Sequence, residues 1–255
     1  MHALLWLLLL ASRGWMGGAA GQQSTFPSSP VAASLDSLER LIAGLESEIV
    51  GAAGRYDLRW SLAQAYANAA AAAADPARVK SLARAAQEQA RVATTLGPED
   101  VEGHYWLAVS SGILAEVEGG RTKVRMAEES WNESGWVLQR DSLHAGAHHL
   151  RGRIHAAVQR VNSVTRFLAR LLLGGAVLGQ ATWSDAEYHL RRAVELAPDV
   201  PMHHFELAMT YRNLGRDEEM LLHLGHAAAS PAANPVDERY RQRASAFLSE
   251  RTDRN

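Results

Sequence analysis

Apolar residues recur at intervals of three and four along most of the chain, and this spacing predicts amphipathic helices. The first such stripe follows Ser34, a residue type that favours a helix N-cap. Its members lie on one helical face: Leu35, Leu38, Leu41, Ile42, Leu45 and Ile49. Glycine or proline then interrupts the pattern repeatedly, for example at Gly97-Pro98 and at Gly119-Gly120. No segment shows the alternation of a strand, so the pattern predicts an all-α fold.

The helices repeat a pattern of small and large residues that favours close packing of helix pairs. Small residues let two helices approach, and large residues fill the space between them. Proline ends one unit, and glycine supplies the freedom that a tight turn needs. The best copy comprises Ala186, Leu190, Ala193, Pro198, Leu207, Ala208, Tyr211 and Gly215. Earlier copies contribute Leu107, Ala108 and Gly152, so we predict that all these residues pack the repeats.

This pattern resembles the tetratricopeptide repeat, which has a period of about 34 residues. His104, His148 and His204 occupy equivalent places in successive units, where the repeat favours an aromatic residue. The third unit is about 22 residues longer than that period, and its excess lies between Gly152 and Ala186. We therefore predict a tetratricopeptide-like helical-hairpin solenoid with one elongated hairpin, and a last helix that caps the array.

A narrower resemblance rests on four segments in a fixed order. They are residues 104–109 (HYWLAV), residues 118–123 (EGGRTK), residues 149–152 (HLRG) and residues 186–198. Together with the elongated hairpin they resemble the regulator of microtubule dynamics family, over about residues 100 to 230. The resemblance implies divergent tetratricopeptide repeats that serve as an interaction scaffold rather than an enzyme. The alanine-rich, arginine-rich and cysteine-free composition favours a bacterial relative.

The N-terminal residues have the order typical of a secretory signal. An apolar run over residues 3–11 is followed by small residues at 17–21 and by a polar Ser/Pro stretch. We predict a signal peptide at 1–21, a flexible linker at 22–33 and the repeat domain at 34–255. The protein would then be periplasmic or secreted, and the alternative is an uncleaved N-terminal membrane anchor. Nothing in the mature chain predicts an integral membrane span.

Composition and motifs argue against several functions. The formal net charge of −2 does not favour nucleic acid, and the absence of cysteine excludes disulfides and thiolate metal sites. The chain lacks a nucleophile elbow, a phosphate loop, a zinc-protease motif and an EF-hand loop. We therefore predict no enzymatic activity, no catalytic residues and no cofactor. The oligomeric state stays open.

Histidine is the one residue type whose spacing could indicate metal. His144 and His148 are four residues apart, and His223 and His226 are three apart, spacings that can chelate zinc or copper. The equivalent positions of the repeat histidines favour packing, so we predict no metal site. A small-ligand or metal-binding accessory component of an envelope transport system is kept as the alternative function.

Basic residues concentrate in the middle of the chain, where residues 119–170 carry nine basic and four acidic side chains. The concave groove of a repeat array is lined by its first helices, and arginine there would capture an acidic peptide. The predicted function is a protein- or peptide-binding scaffold with a partly basic groove; a solvated basic face is the other interpretation. The predicted partner-binding residues are Lys123, Arg151, Arg153, Arg160, Arg166 and Arg170.

Overall fold

A computed structural model describes residues 35–163, 165–166, 169 and 177–252. The predicted signal peptide, the predicted linker and Arg170 lie outside the described residues. The described residues form helices and no strand. The helices are α1 (Leu35–Gly51), α2 (Tyr56–Ala72), α3 (Pro76–Leu96), α4 (Val101–Val117), α5 (Gly120–Arg140), α6 (Ala145–Arg160), α7 (Val177–Gln180), α8 (Trp183–Leu196), α9 (Pro201–Asn213), α10 (Asp217–Ala229) and α11 (Pro235–Thr252).

Neighbouring helices pack in pairs, and the pairs pack on one another in chain order. The pairs are α2 with α3, α4 with α5, α6 with α8, and α9 with α10. The first helix of each pair also contacts the first helix of the next pair, from α2 through α4 and α6 to α9. This arrangement confirms the prediction of an all-α, tetratricopeptide-like solenoid of helical hairpins.

Local sequence signals explain where several helices begin. The Asp75 carboxylate accepts a hydrogen bond from the backbone N–H of Arg78, and Pro76 opens α3. Thr182 accepts a bond from the N–H of Asp185 at 3.0 Å and caps α8. Both starts carry a signal that is visible in the sequence, because a capping side chain followed by proline or by an acidic third residue favours the start of a helix.

The two helices of each pair differ in how they are buried. In the second pair, the outer helix α5 buries one stripe of residues, which are Val124, Met126, Ser130, Ser134 and Val137. The inner helix α4 is buried on nearly every side from Tyr105 to Ala115, and its serines Ser110 and Ser111 are fully buried as well. First helices therefore form the interior of the array, and second helices form its outer wall.

The residues predicted to pack the repeats lie mostly in the third and fourth pairs. Nine of them are buried, and Pro198 and Gly215 lie in turns. A Cβ on Gly152 would lie only 2.6 Å from Leu190 Cγ and 3.0 Å from the Ala186 carbonyl oxygen. Gly215 has a φ of +72° in the turn between α9 and α10, a backbone conformation that favours glycine. The small residues thus set the approach of α6 to α8.

The last helix does more than cap the final hairpin. It packs on α9 and α10 and also reaches α2 near the start of the array. Since α2 and α9 are both first helices, α11 lies on the inner side of the curve. Its buried apolar anchors are Val236, Tyr240 and Ala244, spaced four residues apart on one helical face. No helix in the described part of the chain is long and apolar enough to cross a bilayer.

Candidate functional site

A buried arginine joins four helices at the centre of the array. Arg153 on α6 is 3% exposed, with its guanidinium 3.7 Å from Glu116 on α4 and 3.6 Å from Glu206 on α9. It donates to the Tyr240 hydroxyl of α11 at 3.5 Å, and that hydroxyl donates to Glu206 at 3.5 Å. Buried charges are tolerated only when they are paired in this way. The cluster fixes α11 against the inner helices.

This position contradicts the predicted partner-binding role of Arg153. Its spacing of seven from Arg160 indicated one helical face, and that inference holds. However, the middle of α6 packs between α4 and α9, so its inward face is enclosed there. Only the end of the helix emerges, and Arg160 is exposed.

The other predicted basic residues do not line one groove. Arg151 turns toward α5, where its guanidinium lies 3.4 Å from the centre of the Trp131 ring and donates to the Trp131 carbonyl at 2.9 Å. Burial lowers the pKa of Arg151 to about 10. Lys123 lies at the start of the outer helix α5, and Arg166 donates to the Val158 carbonyl at 3.4 Å. Lys123, Arg160 and Arg166 keep their binding role as a prediction.

Arginines from three elements instead meet where the inner helices end. We call Arg160, Arg212, Arg239 and Arg243 the arginine rim. The Arg243 guanidinium lies 4.3 Å from the centre of the Phe205 ring, and that of Arg212 lies 5.1 Å from the centre of the Phe247 ring. These contacts connect α9 with α11 and orient the guanidinium groups by cation–π attraction.

Two of the four rim arginines carry a charge that no ion pair in the described part of the chain balances. Arg160 and Arg212 are exposed, and neither forms an ion pair with an acid within the described ranges. The protein around Arg160 displaces part of the water near its guanidinium and so lowers its pKa; Glu206 opposes this, and the charges of Arg153, Arg212 and Arg243 add to the lowering. Burial likewise lowers the pKa of Arg243. An anion at the rim would relieve this mutual repulsion.

Sequence reasoning missed three members of the rim. Arg212, Arg239 and Arg243 lie far along the chain from Arg160. The packing of α9 on α6 brings Arg212 near Arg160, and the packing of α11 on α9 adds Arg239 and Arg243. The available signal was the alternation of arginine with other residues in the last helix, at Arg239, Arg241 and Arg243. That pattern alone does not indicate which helix packs against these arginines.

The three equivalent histidines occupy equivalent structural places. Each ring directs Nε2 at a carbonyl oxygen six residues earlier, in the turn before its own helix. The pairs are His104 with Pro98 at 3.1 Å, His148 with Ser142 at 3.0 Å, and His204 with Pro198 at 2.9 Å. Each Nδ1 faces the second helix of the same hairpin. The pairs are His104 with Glu133 at 2.6 Å, His148 with His189 Nδ1 at 2.9 Å, and His204 with His223 Nδ1 at 2.9 Å.

These contacts place the repeat histidines inside their hairpins, and two of them have a second histidine as partner. His226 lies beside the last pair, with its ring centre 5.1 Å from that of His204. Across the described residues, no group of three or more histidine, cysteine, aspartate or glutamate side chains is arranged to hold a metal ion.

The hairpin array with its enclosed first helices defines a helical-repeat protein of the tetratricopeptide class. The profile of the family described as regulator of microtubule dynamics protein 1-3 matches residues 39–252. The chain therefore belongs to the regulator of microtubule dynamics family, as the sequence resemblance predicted.

Individual relatives agree with this membership at modest identity. Regulator of microtubule dynamics protein 3 of Bos taurus is 29% identical over 166 residues, covering 65% of this chain and 35% of the relative. The Rattus norvegicus protein of the same name is 26% identical over 189 residues, covering 74% of this chain and 40% of the relative. The chain thus spans well under half the length of these relatives. A thermophilic TPR protein of Thermus thermophilus superimposes with a TM-score of 0.46 at 22% identity, covering 84% of this chain and 99% of that one.

Proposed function

We propose that this domain is a non-enzymatic interaction scaffold that binds an acidic segment of a partner protein along the arginine rim. The observation that carries the proposal is the exposed, unbalanced charge of Arg160 and Arg212 at the ends of two neighbouring inner helices. Arginine binds carboxylates through paired hydrogen bonds. Its planar guanidinium is better suited than the lysine ammonium group to ion pairs at a protein–protein interface. The rim is therefore suited to a run of aspartate or glutamate.

The packing of the last helix on the inner helices also supports the proposal. It already holds one helix of this chain, because α11 seats Tyr240 against Phe205 with ring centres 5.4 Å apart. An inner surface that accepts a helix by an aromatic anchor uses the helix-in-groove mode of recognition. The proposal thus places an acidic segment beside α11, with the rim arginines between them.

The family supports the class of function and leaves the partner open. The relatives are named for the regulation of microtubule dynamics, and this chain matches a part of each of them. For this chain we propose the interaction role alone. The positive charge of the arginine rim favours an anionic partner.

Charge reversal at the rim is expected to abolish capture of the partner. Arg160→Glu/Arg212→Glu replaces two exposed cations by anions, so an acidic segment meets repulsion where it met attraction. We expect capture from the native host to fall at least about ten-fold, because each lost charge contact is worth about 1 kcal/mol or more. The measurement is quantitative mass spectrometry of the eluates.

The matched control is Arg121→Glu/Arg125→Glu, which makes the same charge change at two exposed positions of the outer helix α5. Circular dichroism and thermal unfolding of both variants confirm an intact fold. A partner that both variants capture as well as the parent chain does would refute the rim as the binding surface.

A further inference from the structure

The hydrogen-bond partners of the two histidine pairs determine which ring nitrogens carry a proton. The Ser142 carbonyl oxygen can only accept, so Nε2 of His148 must carry its proton and donate. In the neutral ring, Nδ1 of His148 is then an acceptor, and the His189 Nδ1–H must be the donor across 2.9 Å. In the second pair, Nε2 of His204 likewise donates to a carbonyl oxygen, so its Nδ1 accepts and His223 donates. Each pair thus joins a first helix to its second helix by one N–H···N bond.

Acid breaks such a pair in two steps. The first added proton goes to the bare Nε2 of His189 or His223 and leaves the bond in place. A second proton must go to Nδ1 of the first-helix histidine, which already faces an N–H, so the bond is lost. Two imidazolium rings then repel each other across the hairpin.

The charged neighbours of the pairs are of both signs. Around His148 and His189 lie the cationic or titratable groups His144, Arg151, His155 and Arg192 and the acidic groups Asp141, Asp185 and Glu195. Around His204 and His223 lie Arg191, His203 and His226 together with Asp199 and Glu219. Acidic and basic groups thus face each pair in similar number, so burial is the main cause of the change in the histidine pKa values.

Burial lowers the pKa of all four histidines. The pKa of His189 falls to about 3 and that of His223 to about 4, with the partner histidine adding to the effect in each case. The folded pairs are therefore neutral at pH 7. A hairpin that opens exposes rings of ordinary pKa, which bind protons below about pH 6.5. Opening is favoured as the pH falls from that value, and the closed state is stabilised above it.

The first hairpin is a natural reference, because its partner is a carboxylate. His104 directs Nδ1 at Glu133 and Nε2 at the Pro98 carbonyl, and both of these partners are acceptors. A ring that carries a proton on each nitrogen donates to both of them. The first hairpin therefore lacks the N–H···N bond between two rings that joins the helices of the two later hairpins.

We propose that the pairs His148–His189 and His204–His223 are acid-sensitive latches, which hold the α6–α8 and α9–α10 hairpins closed at neutral pH and release them in acid. The outer helices α8 and α10 separate from the inner helices when the latches open. Since α11 packs on α9 and α10, the part of the array that carries the arginine rim loosens with them. Release of an acidic partner in acid follows if the proposed function is correct.

Hydrogen exchange of the full chain at pH 7 and pH 5, corrected for the intrinsic rate at each pH, tests the latches. We expect protection of the α8 and α10 amides to fall at least about ten-fold at pH 5, because each opened hairpin binds up to two additional protons. The α5 amides of the reference hairpin are expected to keep their protection. Equal changes in α5, α8 and α10 would overturn the proposal.

His189→Glu/His223→Glu copies the Glu133 arrangement into both later hairpins. We expect this variant to keep α8 and α10 protected at pH 5, which reverses the response of the parent chain. His223→Gln is a milder variant that removes one titrating partner, and it is expected to retain protection in α10 alone. His104→Gln, in the reference hairpin and away from both bonded pairs, is the control and is expected to leave the pH response of α8 and α10 unchanged. A parental pH response in both latch variants would refute the latches.

Capture of the partner at both pH values separates the latch from the proposed function. Acid-induced loss of protection with capture unchanged would overturn the link between latch and rim. A rim that captures nothing at pH 7 would count against the proposed function, while the exchange measurement still decides the latch.

Discussion

Arg153→Met is expected to lower the free energy of unfolding by about 3 to 5 kcal/mol. The substitution removes a guanidinium that lies within 4 Å of both Glu116 and Glu206, so two carboxylates inside the array lose an ion-pair partner. The apolar methionine fills much of the space but cannot replace the ion pairs that these buried charges lose. Urea unfolding followed by circular dichroism measures the change.

Two further variants separate charge from packing at this position. Arg121→Met makes the same substitution at an exposed site and is expected to change stability by less than about 0.5 kcal/mol. Arg153→Met/Glu116→Gln/Glu206→Gln removes the stranded charges and is expected to recover part of the loss. A loss below about 1 kcal/mol in the single variant would mean that the central cluster does not hold the array together.

Gly152→Ala is expected to destabilise the chain by about 2 kcal/mol, although alanine is the better helix former. The new methyl group would lie 2.6 Å from Leu190 Cγ and 3.0 Å from Leu190 N and the Ala186 carbonyl oxygen. Two of these atoms belong to the α8 backbone, which cannot move without shifting the whole helix. The cost of overpacking therefore exceeds the gain of up to about 1 kcal/mol in helix propensity. Thermal unfolding measures the difference.

Gly225→Ala is the matched comparison, because it makes the same change within α10 where nothing lies within 4 Å of the new methyl group. It is expected to be neutral or stabilising by up to about 1 kcal/mol. If Gly152→Ala proves as stable as Gly225→Ala, the packing of α6 on α8 does not require glycine at position 152.

The sequence predicted the fold because the repeat is a local pattern. Ala186, Leu190 and Ala193 lie within one helix, and their spacing alone indicates the face that packs on the preceding helix. The equivalence of His104, His148 and His204 was readable for the same reason, since each occupies one register position in its unit. Their hydrogen-bond partners were not, because His189 and His223 lie on a different helix from the ring that they contact.

The charged site could be predicted only in part, because it depends on contacts between distant segments. Periodicity placed Arg153 and Arg160 on one face but could not show that the middle of α6 is enclosed while its end emerges. Tyr240 reaches Arg153 across 87 residues of sequence, and nothing local to either residue indicates this contact. The arginine rim likewise depends on the packing of distant segments, because α9 packs on α6 and α11 folds back onto α9.

Site-specific photo-crosslinking tests the central claim most directly. A photoreactive amino acid replaces Asn213, which is exposed and adjacent to Arg212, and in a second protein replaces Val50, which is 87% exposed at the end of α1. The account predicts that the partner lost by rim charge reversal crosslinks at position 213 through an acidic segment and does not crosslink at position 50. Crosslinking of that partner at position 50 alone would contradict binding at the arginine rim.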